Sequence, residues 1–551
     1  MLYKNSGTLR NIYIILSLLI FGLTGLSLFD FSIEETKLLI SRIERLLAFC
    51  FAAIALIFFA RHIRKKYAFQ INPTADVAST PNYPKPWQLY ALPVPFLIYQ
   101  LLFFIYIYYN HQIPEPDYSG ISSALNSTIR GDGILRTTFF QTGQSDTFLA
   151  HHFSPTLLLL LPFYSIAQLF DNATHLMYGF LIILILALGV YSWIKCFRLH
   201  SPDTDINLLL TFALITGYPL LRLASSYHFE IFVIPLSALL FSAVARQHKG
   251  LLLFSLILWL GVKEDCALYL LFYGVYLITC KSSRDQGMVI ATLSTLYFII
   301  INFYLKEALF GNEVPHWNYW ETVNFSSLNF ATASGILLSV AFLPLFNYKY
   351  FILVILPIQI LHLFSNHPWH SDYYGHYSYS ILPFLLIGSA QGLMKLEVLL
   401  RRFRLPLRPA LWFATALILY SATGDRETPP PLSKHNTGYE SFSVIINKLP
   451  SDDYCLQTQP RFYAHTPLRA QLIPLYIPKN NPLSKQLDIL QQSNSNDINN
   501  VSCRKHYLLL EARRSDGFFS VEQIDSIVKE ARQRFSLRHQ LQDLILFQKW
   551  L

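Results

Sequence analysis

Four polar stretches interrupt a chain that is otherwise strongly apolar, and each carries side chains suited to acid–base or phosphate chemistry. They are Pro114–Pro162, Tyr227–Glu230, Lys263–Asp265 and His367–Tyr377. Ionisable side chains at the depth of a bilayer are energetically costly, so they are functional candidates by default. The ordinary alternative for the first stretch is a solvated loop.

Asp117 is the leading candidate of the first stretch. It follows Pro114-Glu115-Pro116, a few residues beyond an aromatic-rich apolar run. A carboxylate there could accept a proton from a hydroxyl nucleophile, or bind a divalent cation such as magnesium or manganese that bridges a phosphate. A helix N-cap is the competing interpretation, because aspartate is common at that position and residues 118–129 could form a helix.

His152 and Lys263 are further candidates for contact with a phosphate. His151 and His152 are adjacent, so they cannot share one helix face, and His152 is preferred because it leads directly into Phe153-Ser-Pro. Lys263 lies between two apolar runs, where it could neutralise a phosphate while Glu264 holds it in place. A structural ion pair at the membrane interface explains Lys263 and Glu264 equally well.

The stretch His367–Tyr377 is rich in histidine, tyrosine and tryptophan. Such rings favour the membrane interface and also suit stacking on a sugar, so His376 and Tyr377 are candidate substrate contacts and the others are assigned to the interface. The sequence contains no Walker A, GxGxxG, GxSxG or HExxH motif. Nucleotide-driven transport and the commoner hydrolase sites are therefore not indicated.

Composition places the chain in a membrane. Of its 551 residues 53% are hydrophobic and 14% are charged, which is too apolar for a soluble protein of this size. The formal charge of +9 resides largely in short Lys/Arg clusters between apolar runs. That arrangement is the positive-inside pattern of a membrane protein, and it does not indicate nucleic-acid binding.

Thirteen apolar segments are predicted to span the bilayer, which makes the main body all-α and polytopic. They are 11–30, 45–60, 88–109, 174–195, 206–222, 230–245, 249–262, 266–280, 287–306, 334–346, 350–364, 379–394 and 408–421. The run 154–170 is interpreted as re-entrant or surface-lying, because only then do the basic clusters all face the cytoplasm. This topology predicts a cytoplasmic N-terminus and places all four polar stretches and the C-terminal tail on the outer side.

Three regions are predicted: 1–87, with two helices and a cytoplasmic linker, the transmembrane domain 88–421 with its outer loop 110–153, and an extracytoplasmic α/β domain 422–551. In the tail, residues 454–458, 506–511 and 541–550 predict strands and 521–535 an amphipathic helix. Cys455 and Cys503 both lie there, in an oxidising compartment, and are predicted to form a disulfide.

The order of these motifs resembles a family of bacterial membrane proteins known as domain of unknown function 2079, which is distantly similar to GT-C superfamily glycosyltransferases. The matching elements are Asp117-Tyr-Ser-Gly-Ile, His152-Phe-Ser-Pro, Tyr227-His-Phe-Glu230, Lys263-Glu-Asp265 and His376-Tyr377. The resemblance extends over roughly residues 88 to 515. It implies a GT-C-like fold in which Asp117, on the first large outer loop, is a base or metal ligand.

The leading hypothesis is sugar transfer from a polyprenyl-phosphate donor at the outer face of a bacterial inner membrane, to an acceptor that the sequence does not identify. Asp117 would be the base or metal ligand, with His228 and Glu230 as a second acid–base pair or acceptor contacts. His152 and Lys263 would contact phosphate, and Tyr377 the sugar or lipid. Two alternatives stay open: a transporter or lipid flippase, and a non-catalytic envelope-assembly protein that binds a partner through its tail.

Overall fold

The structure is a computed structural model that describes most of residues 87–402 and 442–549. The gaps within these ranges are 110–112, 114–116, 138, 140–146, 168–174, 201–203, 312–329, 366–369, 371–372, 374, 443, 450–453, 467–469, 475–504, 513–520 and 542. The predicted spans 11–30, 45–60 and 408–421 lie outside the described residues.

The described part of the main body is almost entirely helical. Its helices of five residues or more are Trp87–Ala91, Val94–Tyr109, Asp117–Arg130, Pro155–Leu160 continuing into Leu161–Ala167, Leu176–His200, Thr204–Thr216, Tyr218–Ser226, Val233–Ala245, Lys249–Leu260, Cys266–Ile278, Arg284–Ile300, Ile301–Leu305 continuing into Lys306–Phe310, Phe330–Leu338, Phe351–Ile355 continuing into Leu356–Leu363, Gly375–Ser380 and Leu382–Arg402.

Among the described residues, three helices are long and apolar enough to cross a bilayer: Leu89–Tyr109, Leu176–His200 and Lys281–Phe310. A fourth results if Ile206–Ile215 and Pro219–Ser226, which are bent by 44°, form one span. The other apolar helices have 10–17 residues, whereas a helix needs about 20 to cross the hydrocarbon core. The described residues thus contain helices of the length and composition of membrane spans, but the total of 13 spans is not confirmed.

Two predicted spans are interrupted, because the backbone within each of them leaves the helical conformation. In 334–346 the helix Phe330–Leu338 ends before Ala341 and Phe342, which have φ of +59° and +53°. In 206–222 the helix breaks at Gly217, and Pro219 lacks the N–H that would continue the hydrogen-bond ladder. Hydropathy averaged over a window does not register such breaks.

The segment 154–170 forms a 3₁₀ turn, Pro155–Leu160, followed by the helix Leu161–Ala167. With a rise of about 2 Å per residue in the first part and 1.5 Å in the second, these two described parts are together about 22 Å long. The interpretation of 154–170 as a re-entrant or surface-lying segment stays a prediction.

The chain divides into two compact units. Unit 1 comprises Met1–Phe103, Ile182–Phe303 and His316–Leu432, and unit 2 comprises Phe104–Leu181, Tyr304–Pro315 and Ser433–Leu551. The domain limits predicted from the sequence, at residues 87 and 421, stay predictions.

In unit 1 the helices Cys266–Ile278 and Arg284–Ile300 approach closely through glycine. A Cβ at Gly274 would lie 2.7 Å from the Ala291 nitrogen, and one at Gly287 would lie 2.6 Å from the Ile278 nitrogen. Real Cβ atoms essentially never come that close to a backbone atom, so larger residues would force the two helices apart. This packing fixes the helix that follows Lys263.

In unit 2 the tail forms a sheet of five strands: β1 (Tyr454–Thr458), β2 (Ala470–Pro474), β3 (His506–Glu511), β4 (Phe535–Leu541) and β5 (Leu544–Lys549). Their order in the sheet is β2-β1-β3-β5-β4. Strands β1, β2 and β3 are parallel, and β4 and β5 add an antiparallel hairpin. The helix Val521–Arg534 covers one face through Ile524, Ile527 and Ala531. The predictions for β1 and β3 agree with the structure, whereas β2 and β4 were not predicted.

A buried polar network in unit 2 connects this tail with the segment that starts at Asp117. His175 Nδ1 lies 2.6 Å from Ser122 Oγ, and His175 Nε2 lies 3.1 Å from Thr466 Oγ1. Ser122 also bonds the Tyr164 hydroxyl at 2.8 Å. Burial lowers the pKa of His175 to about 3, so the imidazole is neutral. The serine and histidine are fully enclosed, and their hydrogen bonds hold the parts of unit 2 together.

Cys455 is disulfide-bonded. Its predicted partner, Cys503, lies outside the described residues. The pairing of the two cysteines stays a prediction.

Candidate functional site

Three connections between helices of unit 1 carry the candidate site. The first follows the helix Tyr218–Ser226, which ends at Tyr227 in the left-handed conformation with φ of +51°. A non-glycine residue there costs about 1–2 kcal/mol, and such strain is concentrated at functional sites. The turn places His228 in an extended conformation, directly before the 3₁₀ turn Phe229–Phe232 that carries Glu230.

The second connection is Lys263–Asp265, a turn between the helices Lys249–Leu260 and Cys266–Ile278. The third is the 3₁₀ turn Gly375–Ser380, which contains His376 and precedes the helix Leu382–Arg402. The Lys263–Asp265 connection is short, so the helices on either side hold its polar side chains in place.

Glu230 is the centre of a buried cluster formed by these connections. Its Oε1 accepts a hydrogen bond from Lys263 Nζ at 3.0 Å, and its Oε2 is bonded to His228 Nδ1. Glu230 is 0% exposed, His228 2% and Lys263 4%. Burying an ion pair costs several kcal/mol of desolvation per charge, which its mutual attraction only partly offsets. A contribution to folding stability is therefore not enough to explain why Glu230 and Lys263 are buried as an ion pair.

Aromatic rings complete the Glu230 cluster. The ring of His376 stacks on that of His228 with centroids 4.1 Å apart and planes 14° apart. Lys263 Nζ lies 5.3 Å from the ring centroid of Tyr377 and 5.4 Å from that of Tyr379, within range of a cation–π interaction. The lysine therefore has a carboxylate partner and two aromatic partners.

Asp265 joins a second group of polar side chains next to Lys263. Its Oδ2 accepts hydrogen bonds from the hydroxyls of Tyr379 and Tyr269, the latter at 3.2 Å. His362 belongs to the same group, with Nε2 2.8 Å from Ser380 Oγ.

Electrostatics bind this turn together. Burial disfavours the ammonium of Lys263, but the negative charges of Asp265 and Glu264 and the nearby Tyr377 outweigh it and raise its pKa. Burial raises the pKa of Asp265, and the charge of Lys263 and the hydrogen bond from Tyr379 offset this only in part. Lys263 is thus held as a cation inside the protein.

The structure brings together five of the predicted site residues: His228, Glu230, Lys263, His376 and Tyr377. Glu264, the sixth in this unit, is buried and acts on Lys263 electrostatically, whereas the carboxylate that bonds Lys263 is Glu230. Glu230, 33 residues earlier, is thus a partner of Lys263 that the sequence did not indicate, and the role of Glu264 in holding the lysine stays a prediction.

Asp117 and His152 belong to unit 2. Asp117 is the first residue of the helix Asp117–Arg130, where its negative charge interacts favourably with the helix dipole. His152 follows the short helix Phe148–His151 and its backbone N–H donates to the Phe148 carbonyl. The roles of Asp117 as base or metal ligand and of His152 as a phosphate contact stay predictions.

Sequence reasoning missed two kinds of polar residue. Lys306 is fully buried in unit 2, where its Nζ donates to the His151 carbonyl oxygen at 3.2 Å. Tyr269, His362 and Tyr379 adjoin the Glu230 cluster through Asp265 and Ser380. A signal existed for Tyr269, which lies one helical turn after Asp265.

Comparison with known proteins settles the family. The model of the family described as "Predicted membrane protein (DUF2079)" matches residues 117–525. The chain belongs to this family. The resemblance inferred from the motifs is confirmed, and this DUF2079 member is a membrane protein.

A solved structure similar to this DUF2079 protein is that of ArnT from Cupriavidus metallidurans bound to undecaprenyl phosphate. The two share 11% sequence identity with a TM-score of 0.49, over 83% of this chain and 98% of that chain. No curated protein matches the sequence.

Proposed function

We propose that this protein is a membrane glycosyltransferase that uses a polyprenyl-phosphate-linked sugar at the outer face of the inner membrane. The observation that supports this most directly is the buried contact of Glu230 with His228 and Lys263, with His376 stacked alongside. Three separate connections bring a cation, a carboxylate and two imidazoles together. The carboxylate and the imidazoles can transfer protons, and the cation can bind a phosphate.

In the proposed reaction an acceptor hydroxyl attacks the anomeric carbon of the sugar. The new carbon–oxygen bond forms as the bond from that carbon to the phosphate oxygen breaks, and the electron pair leaves with polyprenyl phosphate. The hydroxyl proton passes to a carboxylate, which is either Asp117 or Glu230. His228, which is bonded to Glu230, could exchange the proton that Glu230 takes up. The acceptor is not identified.

Lys263 would stabilise the leaving phosphate. Its ammonium already lies among acidic and aromatic groups, so an anionic donor would compete with Glu230 for it. Charge that develops on the leaving group is then met by a cation fixed in advance, which is the arrangement that lowers such a barrier. Tyr377, whose ring lies 5.3 Å from Lys263 Nζ, would stack on the sugar.

The test is transfer by the purified full-length protein with a panel of polyprenyl-phosphate sugars, read as release of polyprenyl phosphate. Lys263→Met, Glu230→Gln and Asp117→Asn are each expected to lower turnover by at least about 100-fold, which is the scale for acid–base and charge-stabilising groups. Lys249→Met is the matched control, because Lys249 is exposed. Turnover by wild type that all three variants retain would refute the proposed site.

The buried ion pair also suits the transporter alternative, because paired charges within a membrane protein commonly mark ion or proton pathways. Proteoliposomes distinguish the two. A transporter would move a labelled solute or lipid across the bilayer without forming a glycosidic bond, and Lys263→Met would stop that movement.

A further inference from the structure

The Glu230 cluster also has the composition of a metal site. His228, Glu230 and His376 each offer one ligand atom, and these atoms all lie within 4.8 Å of one another. All three side chains are buried. In the part of the chain that the structure describes, this is the one group of histidine, cysteine and carboxylate side chains that meets that distance.

The donor set selects the kind of ion. Two imidazoles and one carboxylate are typical of zinc sites that keep a fourth position open, whereas magnesium prefers oxygen ligands throughout. Among divalent first-row ions, zinc also binds such nitrogen and oxygen donors more tightly than manganese or iron does. The cluster therefore differs in chemistry from the magnesium or manganese site that the sequence suggested at Asp117.

Glu230 is already oriented as a metal ligand would be. Its Oε2 faces His228, while Lys263 occupies the other oxygen, Oε1, at 3.0 Å. Ligating carboxylates are normally held in this way, by a hydrogen bond to the oxygen away from the metal. Lys263 therefore leaves the Oε2 side of Glu230 open to a metal ion and would fix the rotamer of the Glu230 side chain.

The local charge also favours a dication. Three carboxylates, Glu230, Glu264 and Asp265, surround the single ammonium of Lys263 in a mostly buried environment. A dication beside Glu230 would be attracted by this excess of negative over positive charge in a mostly buried environment.

We propose that His228, Glu230 and His376 bind one zinc ion in unit 1, with a fourth position open to an oxygen ligand. Binding would release the proton that His228 Nδ1 shares with Glu230. On the proposed function, the open position would take a phosphate oxygen of the sugar donor. Binding of the zinc ion itself does not depend on that function.

The test is the metal content of full-length protein purified without chelator, incubated with zinc chloride and dialysed. Wild type is expected to hold about one zinc ion per chain, and His228→Ala and His376→Ala to hold less than about a tenth of that, because each removes one of three ligands. The matched control is His362→Gln, which alters a buried histidine of the same unit outside the triad and should retain the zinc.

A second readout does not depend on how the variants fold. The thermal unfolding midpoint of wild type should fall when EDTA is added and recover with zinc, and magnesium should not restore it. Wild type that holds no zinc and does not respond to EDTA would overturn the proposal. So would triad variants that are folded and hold as much zinc as wild type. Sugar transfer is not part of either readout, so the metal site and the proposed function can fail separately.

Discussion

Replacing Lys263 by methionine tests how strongly the buried ion pair contributes to stability. The pair is 3.0 Å apart and almost fully enclosed. With an effective dielectric constant of about 20, Coulomb's law gives an attraction of about 5–6 kcal/mol, most of which offsets the desolvation of the two charges. Removal of one partner leaves Glu230 as a buried charge without its cation, and we expect a loss of about 3–5 kcal/mol in the free energy of unfolding.

The assay is a double-mutant cycle on thermal unfolding of the purified protein, with a chelator present so that metal does not contribute. Lys263→Met and Glu230→Gln should each lower the midpoint clearly, whereas the double variant, which buries neither charge, should recover a large part of the loss. Lys249→Met, at an exposed position, should leave the midpoint unchanged. If the double variant loses as much as the two single variants together, Lys263 and Glu230 do not interact and the description of the cluster is wrong.

Three further predictions concern other parts of the chain. Burial lowers the pKa of His175 to about 3, below the ordinary value of about 6.5, so protonation favours the unfolded chain and unit 2 should lose stability as the pH falls from about 6.5 towards 3. His175→Gln should make this decline shallower in limited proteolysis, and an unchanged slope would contradict it. A Cβ at Gly392 would overlap a main-chain carbonyl oxygen, so Gly392→Ala should cost about 1–3 kcal/mol. Gly335→Ala, which has open space, is its control, and equal midpoints for the two variants would refute the close packing. Peptide mapping under non-reducing conditions should recover Cys455 joined to Cys503, and a different partner would disprove the predicted pairing.

The residues of the Glu230 cluster could be chosen from the sequence because short polar motifs stand out in an apolar chain. The contacts between these residues could not be predicted from the sequence. Lys263 and Glu230 are 33 residues apart. They meet because the helix after Glu230, Val233–Ala245, packs against the helix before Lys263, Lys249–Leu260. The sequence therefore paired Lys263 with its neighbour Glu264, since only local partners are visible without the fold.

Other features were hidden by what surrounds them. His362 lies within an apolar helix, where a single polar residue resembles a satisfied core side chain. The span 334–346 was drawn across a break because the residues at the break, Ala341 and Phe342, are themselves apolar. Strand β4 was missed because only Phe535 of its seven residues is fully buried, which leaves little alternation to detect.

Sugar transfer at the Glu230 cluster can be tested by measuring release of polyprenyl phosphate from a polyprenyl-phosphate sugar by wild type and by Glu230→Gln, both shown to be folded. We expect turnover and formation of a glycosylated acceptor by wild type, and loss of both in the variant. A folded Glu230→Gln protein that transfers sugar as fast as wild type would contradict a role for Glu230 in the reaction.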